Sequence, residues 1–146
     1  MATIKKVCIE ANIDSKFKIK SNIRNHVVYI DQPKESGGED TGPTPLEYLL
    51  FSLAGCIASI GRIMANQKKI DLKSMEVKVE GQLDVETFLG KSQENRAGFK
   101  DIKVMVKIDA PLSLEEKRQF LHEIDIRCPV SDNIENQTPI AMRVEE

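Results

Sequence analysis

The stretch LEYLLFSLAGCIASIG, residues 46–61, is apolar on every side and carries one thiol, Cys56, near its middle. Its uncharged part is closed by Glu47 and Arg62 and is shorter than the roughly 20 residues that a membrane span needs. A shorter helix that is apolar all round normally lies in a protein core or a subunit interface. We therefore expect a buried central helix and no membrane partner.

The residues before this stretch carry the signals of a helix start. Thr44 is a suitable N-cap, Pro45 suits the first helical position, and Glu47 stands where a capping box requires an acid. The helix is expected to end at about Gln67 or Lys69, where lysines suit the negative end of the helix dipole.

The segments on either side of the central helix alternate between strands and amphipathic helices. Strands are expected in residues 3–31, 75–85 and 99–109, and a closing strand in TPIAMRVEE, residues 138–146. A second helix begins at Ser113 with its own capping box, and CPVSDNIEN favours a short further helix. This order predicts an α+β fold with a mostly antiparallel sheet and helices on one face, as a single domain over residues 1–146.

One small sheet and one helix cannot cover a central helix that is apolar on all sides. A second copy of the chain is the simplest cover, so the sequence predicts a homodimer with this helix at the seam.

Composition excludes several function classes. The chain has 146 residues with 30% charged and 40% hydrophobic side chains, and a formal net charge of −2. Without a basic run, it offers no surface for nucleic acid or for an anionic membrane. The N-terminus has no run of signal-peptide length, and three cysteines make a poor disulfide framework, so we expect a reducing, cytoplasmic location.

The cysteines are the candidate reactive groups, although each also has a purely structural interpretation. Cys56 is either a small buried hydrophobe or a thiol given room by the small residues beside it. Cys128 precedes Pro129, which either only ends the previous helix or places Cys128 at an N-cap, where N–H groups lower a thiol pKa. Two such thiols could pass through a sulfenic acid to a disulfide that an external dithiol resets.

The remaining candidates for chemistry are weak. Cys8 lies in a predicted strand and is expected only to pack. His26 and His122 stand at no metal-ligand spacing, so no metal site is predicted.

The two motifs GPTPLEYLLFSLAGC (42–56) and CPVSDNI (128–134) resemble those of the OsmC/Ohr family of organic hydroperoxide reductases. The resemblance implies an intertwined homodimer with two central helices packed together and active sites at the subunit interface. It matches Cys56 to the peroxidatic cysteine and Cys128 to the resolving one. The activity that it implies is reduction of organic hydroperoxides to an alcohol and water by a dithiol, without a metal or bound cofactor.

Two departures from the family pattern concern the residues around the peroxidatic thiol. The family glutamate falls at Leu46 here, and the nearest acid, Glu47, lies about two and a half helical turns before Cys56 and on the opposite helix face. Glu47 is therefore either a catalytic residue acting across the dimer or only the closing residue of the capping box. The family arginine is replaced by Lys18 or Lys20, or its role passes to Arg24 in the following turn, because a lysine cannot make the bidentate fork.

These observations favour a thiol peroxidase that uses Cys56, Cys128 and a basic residue of the first strands. The alternative is a dimeric binding protein of the same fold that holds an apolar ligand with little turnover. A redox sensor ranks last, because nothing in the sequence supplies its partner.

Overall fold

The computed structural model describes residues 1–146 as a mixed α+β protein with antiparallel sheets, as the sequence predicts, and with four α-helices. Contacts divide the chain into two compact units, Met1–Leu49 and Leu50–Glu146. The first contains a three-stranded sheet and the second a two-stranded sheet with most of the helical residues.

The first unit is a small antiparallel meander. Its strands are β1 (Asn12–Ile13), β2 (Ile19–Ile23) and β3 (His26–Ile30), in the order β1-β2-β3. Arg24 takes a left-handed conformation, φ 54°, in the two-residue turn between β2 and β3. That conformation lets the chain reverse within two residues, so the predicted turn of this hairpin is confirmed.

Most residues of two terminal segments that the sequence predicts as strands do not form strands. Of the first predicted strand only Asn12–Ile13 pairs, and residues 138–146 contain no strand. Both segments alternate apolar and polar residues and leave apolar side chains exposed: Ile4, Val7 and Ile9 at one end, and Ile140, Met142 and Val144 at the other. A strand exists only where a neighbouring strand edge supplies backbone hydrogen bonds, and beyond the pairing of Asn12–Ile13 the single chain supplies no such edge to these segments.

A loop after β3 is built around the carboxylate of Asp31, which is 1% exposed. It accepts hydrogen bonds from the Thr41 hydroxyl at 2.6 Å, the Thr41 amide at 3.1 Å and the Gln32 amide at 2.8 Å. The Thr41 hydroxyl, followed by backbone N–H groups, lowers the pKa of Asp31 to about 2 against burial, which raises it. A short 3-10 turn, Lys34–Ser36, completes the loop.

We expect Asp31 to make stability depend on acid pH. Its folded pKa of about 2 lies below the ordinary 3.8, so its stabilising contribution is complete above about pH 3.8 and is lost as the pH falls toward 2. Urea unfolding of wild type and Asp31→Asn at about pH 5 and about pH 2 measures this. The stability difference between the two proteins should shrink at the lower pH, and an unchanged difference would contradict the prediction.

The second unit contains a long hairpin of β4 (Ser74–Leu83) and β5 (Phe99–Asp109). The register is antiparallel from Ser74↔Asp109 to Leu83↔Phe99, so both predicted strands are confirmed. Alternate β4 residues are half-buried and exposed, which gives the hairpin one core face and one charged face. The connection contains one helical turn that the sequence analysis does not predict, α2 (Val85–Phe88), because the Asp84 carboxylate caps the Glu86 amide at 3.0 Å.

The central helix α1 spans Pro45–Lys68, as predicted. Its capping box is present: the Thr44 amide donates to the Glu47 carboxylate at 2.8 Å and the Glu47 amide donates to the Thr44 hydroxyl at 3.2 Å. Its buried residues form one stripe at helical spacing: Leu53, Ile57, Ile60, Gly61, Met64 and Ala65. The outward face leaves large apolar side chains exposed, with Phe51 at 70%.

By length and composition alone, α1 could also cross a membrane. The prediction that this segment is too short to span a membrane is therefore wrong, because the helix continues past Glu47 and Arg62. Its buried stripe nevertheless packs in the core cluster of the second unit. That packing is typical of a core helix, which passes the same composition test.

Two further helices complete the second unit, α3 (Leu114–Arg127) and α4 (Pro129–Glu135). Ser113 and Glu116 form the predicted capping box of α3. Phe120 and Ile124 are buried as its apolar face requires, whereas Leu114, expected on that face, is exposed in the first turn. A Cβ on Gly61 of α1 would lie 2.4 Å from the Met75 sulfur, so glycine allows β4 to approach α1 closely.

Candidate functional site

Cys56 lies on α1 at the border between the core and the exposed helix face. It is half-buried and packs against the core cluster that contains Cys128. The position beside it is open, because a Cβ added to Gly55 would meet no atom within 4 Å. Gly55 thus leaves the helix surface open at the position preceding Cys56, and the Cys56 thiol is neither sealed in the core nor fully in solvent.

Cys128 lies at the junction of α3 and α4 and is 1% exposed. It is the N-cap of α4, Pro129 takes the first helical turn, and the Cys128 sulfur accepts a hydrogen bond from the Ser131 amide at 3.3 Å. The N-cap position predicted from the Cys-Pro sequence is confirmed. The Cys128 amide in turn donates to the Asp125 carbonyl at 3.2 Å, which ends α3.

The pKa of Cys128 moves in the direction opposite to the sequence prediction. Burial raises the pKa above its ordinary 9.0, and hydrogen bonding to Cys56 raises it further. The amides of Ser131 and Val130 lower the pKa, as an N-cap should, but they do not outweigh burial. Cys128 is therefore a protonated thiol at neutral pH, and the predicted lowering of its pKa is wrong.

The two thiols lie close enough to act on each other. Cys56 affects the pKa of Cys128 through a side-chain hydrogen bond and through its charge. The tertiary structure thus brings together two cysteines that are distant in the chain.

The Ser131–Asp125 pair is a feature that the sequence analysis missed. The buried Ser131 hydroxyl donates to the Asp125 carboxylate at 2.6 Å, across the α3–α4 junction. Together with the Ser131 amide, this contact fixes the turn that holds the Cys128 sulfur. The sequence contains a signal for the role of Ser131: it lies three residues after a capping residue, at a position where the backbone amide faces the cap.

The other predicted site residues all belong to the first unit. Glu47 closes the capping box of α1, so its structural role is confirmed and its catalytic role stays a prediction. Arg24 is exposed in the β2–β3 turn. The Lys18 ammonium lies 4.6 Å from the centre of the Tyr29 ring, and Lys20 is exposed on β2 opposite Tyr29. Which of these cations serves a thiolate stays a prediction.

Neither Cys8 nor the histidines join the thiol pair. Cys8 is exposed in the unpaired N-terminal segment, so the packing role expected for it in a strand is wrong for the single chain. No group of three or more His, Cys, Asp or Glu side chains converges as metal ligands would.

Several solved structures share this fold. An OsmC-like protein from Mycoplasma pneumoniae superposes with a TM-score of 0.78 at 23% identity, over 91% of this chain and 89% of that one. An organic hydroperoxide resistance protein OsmC from Legionella pneumophila gives a TM-score of 0.67 at 22% identity, over 91% of each chain. An organic hydroperoxide resistance protein from Elizabethkingia anophelis gives 0.64 at 19% identity, over 90% and 89%.

Among curated proteins none matches this chain in sequence. The OsmC-like protein family model, in contrast, matches residues 37–143, which include both cysteine motifs and all of α1 to α4. The chain therefore belongs to the OsmC-like protein family.

Proposed function

We propose that this chain is a thiol-dependent peroxidase that reduces organic hydroperoxides in the cytoplasm, as a single OsmC-like domain. The observation that carries the proposal is the proximity of the two thiols: Cys56 packs against the core cluster that contains Cys128 and raises the pKa of Cys128. Membership of a family whose solved relatives include organic hydroperoxide resistance proteins supports it.

The environments of the two thiols favour different roles. Cys56 is half-buried, so a hydroperoxide can reach it more easily than it can reach the buried Cys128, and Cys56 is the proposed nucleophile. Cys128 is buried with a raised pKa, so it keeps its proton while Cys56 reacts. A buried, protonated thiol is suited to resolving an oxidised neighbour rather than to attacking a free peroxide.

The proposed cycle balances in three steps. The Cys56 thiolate attacks the terminal oxygen of the hydroperoxide, the O–O bond breaks, and the alkoxide takes a proton to leave as an alcohol. The Cys128 sulfur then attacks the Cys56 sulfenic acid, and its proton leaves with the hydroxyl group as water. A dithiol reduces the resulting disulfide and becomes oxidised itself. A basic residue of the first strands, Lys18, Lys20 or Arg24, is the proposed partner of the thiolate.

Disulfide mapping tests this function directly. One equivalent of cumene hydroperoxide should join Cys56 and Cys128 in an intrachain disulfide, visible by peptide mass mapping under non-reducing conditions. In Cys128→Ser the cycle should stop earlier, and Cys56 should be trapped by dimedone as a sulfenic acid. Unmodified Cys56 in both proteins would contradict the peroxidase.

A binding protein for an apolar ligand is the second candidate, because the Glu47 carboxylate is held in the capping box. If Cys56 stays unmodified under these conditions, binding without turnover becomes the preferred function.

The proposed active form is an intertwined homodimer. The exposed apolar face of α1 and the unpaired, alternating segments at both termini support it, since a second copy would offer both a covering surface and strand edges. With Cys56 at the border of that face, the dimer seam would lie beside the thiol.

We expect Phe51→Glu to separate the dimer, because a charge on the 70% exposed Phe51 of α1 would have to be buried at the seam. Analytical ultracentrifugation should find two 16.4 kDa chains in the wild-type particle and one in the variant. Phe88→Glu is the matched control, since Phe88 is 67% exposed and belongs to α2 rather than to α1. A wild-type particle of one chain, or a Phe51→Glu dimer as stable as the control, would contradict the prediction.

A further inference from the structure

The first unit contains a cavity of about 640 Å³ whose lining includes Lys18 and Lys20, two of the three cations proposed as partners of the thiolate. It is open on one side and is lined by residues of the β1–β2–β3 sheet and of the loop after β3. Most of its lining residues, from Asn12 to Asp31, precede residue 37, where the family match begins. Its volume falls within the roughly 300–1,000 Å³ of pockets that bind small organic molecules.

Three of the charged groups that line this cavity are already committed to other contacts. The Lys16 ammonium pairs with the Glu39 carboxylate at 2.9 Å. The Asp31 carboxylate accepts three hydrogen bonds from Thr41 and Gln32, which hold the loop. These contacts hold the walls of the cavity in place. The remaining charged side chains of the lining are available to bind a ligand.

The cations that remain are Lys18 and Lys20. Lys18 immediately precedes β2, and Lys20 lies in β2 directly across from Tyr29. The Lys18 ammonium lies 4.6 Å from the centre of the Tyr29 ring, so both lysines line the cavity beside Tyr29. Asp14 is the one uncommitted acid in the lining. Two neighbouring ammonium groups against one free carboxylate favour an anion.

The apolar part of the lining indicates the rest of the ligand. Phe17 and Tyr29 offer aromatic surface, and Ile13 adds an aliphatic side chain. Aromatic and apolar walls with a few charged groups at one place are typical of sites for amphiphilic small molecules. We infer that this cavity binds an organic carboxylate with a flat apolar body, its carboxylate between Lys18 and Lys20 and its body against Phe17 and Tyr29.

The inference stands without the proposed peroxidase, and its test is binding. Isothermal titration calorimetry with 2-naphthoate, and with 2-naphthamide as its uncharged analogue, measures the contribution of the anion. Naphthoate should bind about tenfold more tightly than naphthamide, and each of Lys18→Gln and Lys20→Gln should weaken it about three- to tenfold. Asp14→Asn should tighten it by up to about threefold, because it removes a like charge.

Two control variants test whether naphthoate binding depends on this cavity rather than on overall charge or on the thiols. Lys34→Gln removes an exposed lysine of the same unit that does not line the cavity, and it should leave the affinity for naphthoate unchanged. Cys56→Ser should also bind naphthoate as the wild type does. In NMR spectra, naphthoate should shift the ring resonances of Phe17 and Tyr29.

Several results would overturn the inference. They are equal affinity for naphthoate and naphthamide, absence of binding, and lysine variants of the cavity that bind as Lys34→Gln does. Loss of binding in Cys56→Ser would also overturn it, because the ligand would then occupy the thiol site.

Discussion

Cys56→Ser is expected to lower hydroperoxide consumption to the rate of the dithiol alone. The hydroxyl of serine is not ionised at neutral pH and is a far weaker nucleophile toward an O–O bond than a thiolate. Loss of a nucleophile removes the whole covalent route, so the decrease should span orders of magnitude. The measurement is loss of cumene hydroperoxide with dithiothreitol present, at matched protein concentration.

Cys8→Ser is the matched control for that experiment. Cys8 is an exposed thiol of the same chain that the proposed cycle does not use, so its variant should consume hydroperoxide as fast as the wild type. Equal activity in all three proteins, no faster than dithiol alone, would end the peroxidase hypothesis. A similar loss in Cys8→Ser and Cys56→Ser would show that the reactive thiol had been assigned to the wrong place.

Ile124→Ala is expected to reduce the free energy of unfolding by about 2–5 kcal/mol. Ile124 is 0% exposed and belongs to the core cluster that also holds Cys128 and Met64. Its Cδ1 would also lie 3.4 Å from a Cβ on Gly61, so it packs where α3 meets α1. Alanine would leave a cavity at that contact, which neighbouring side chains fill only in part.

The same helix supplies a control for this prediction. Ile126 is 70% exposed on α3, and Ile126→Ala makes the same chemical change without opening a cavity. Chemical unfolding followed by circular dichroism should show a loss for Ile124→Ala and a change within about 0.5 kcal/mol for Ile126→Ala. Equal effects would mean that the core of the second unit does not depend on the α1–α3 contact.

Much of the secondary structure was predictable because its signals are local. The capping boxes at Thr44 and Ser113 are contacts between residues three apart, so their sequence pattern already contains the geometry. The bounds of β5 follow from alternation with period two, and the N-cap position of Cys128 follows from the proline after it. Each of these rests on neighbours along the chain.

The terminal segments show where this local reasoning fails. Residues 138–146 alternate as a strand does, yet they have no partner edge in the chain. Alternation reports a propensity, and pairing requires a second strand at the right place. The short helix α2 was missed for a related reason, because a single Asp84 cap suffices to form one turn in a polar loop.

For the two thiols, some properties could be inferred from short stretches of sequence and others required the folded chain. The residues alone indicated the family, the central helix and the two cysteines, since motifs and periodicity are properties of short stretches. The burial of Cys128 beside Cys56, the raised pKa of Cys128 and the support from Ser131 and Asp125 came only from the folded chain. The burial of a thiol and its distance from another thiol depend on which distant segments pack together. No single stretch of sequence contains that information, because it results from many long-range contacts.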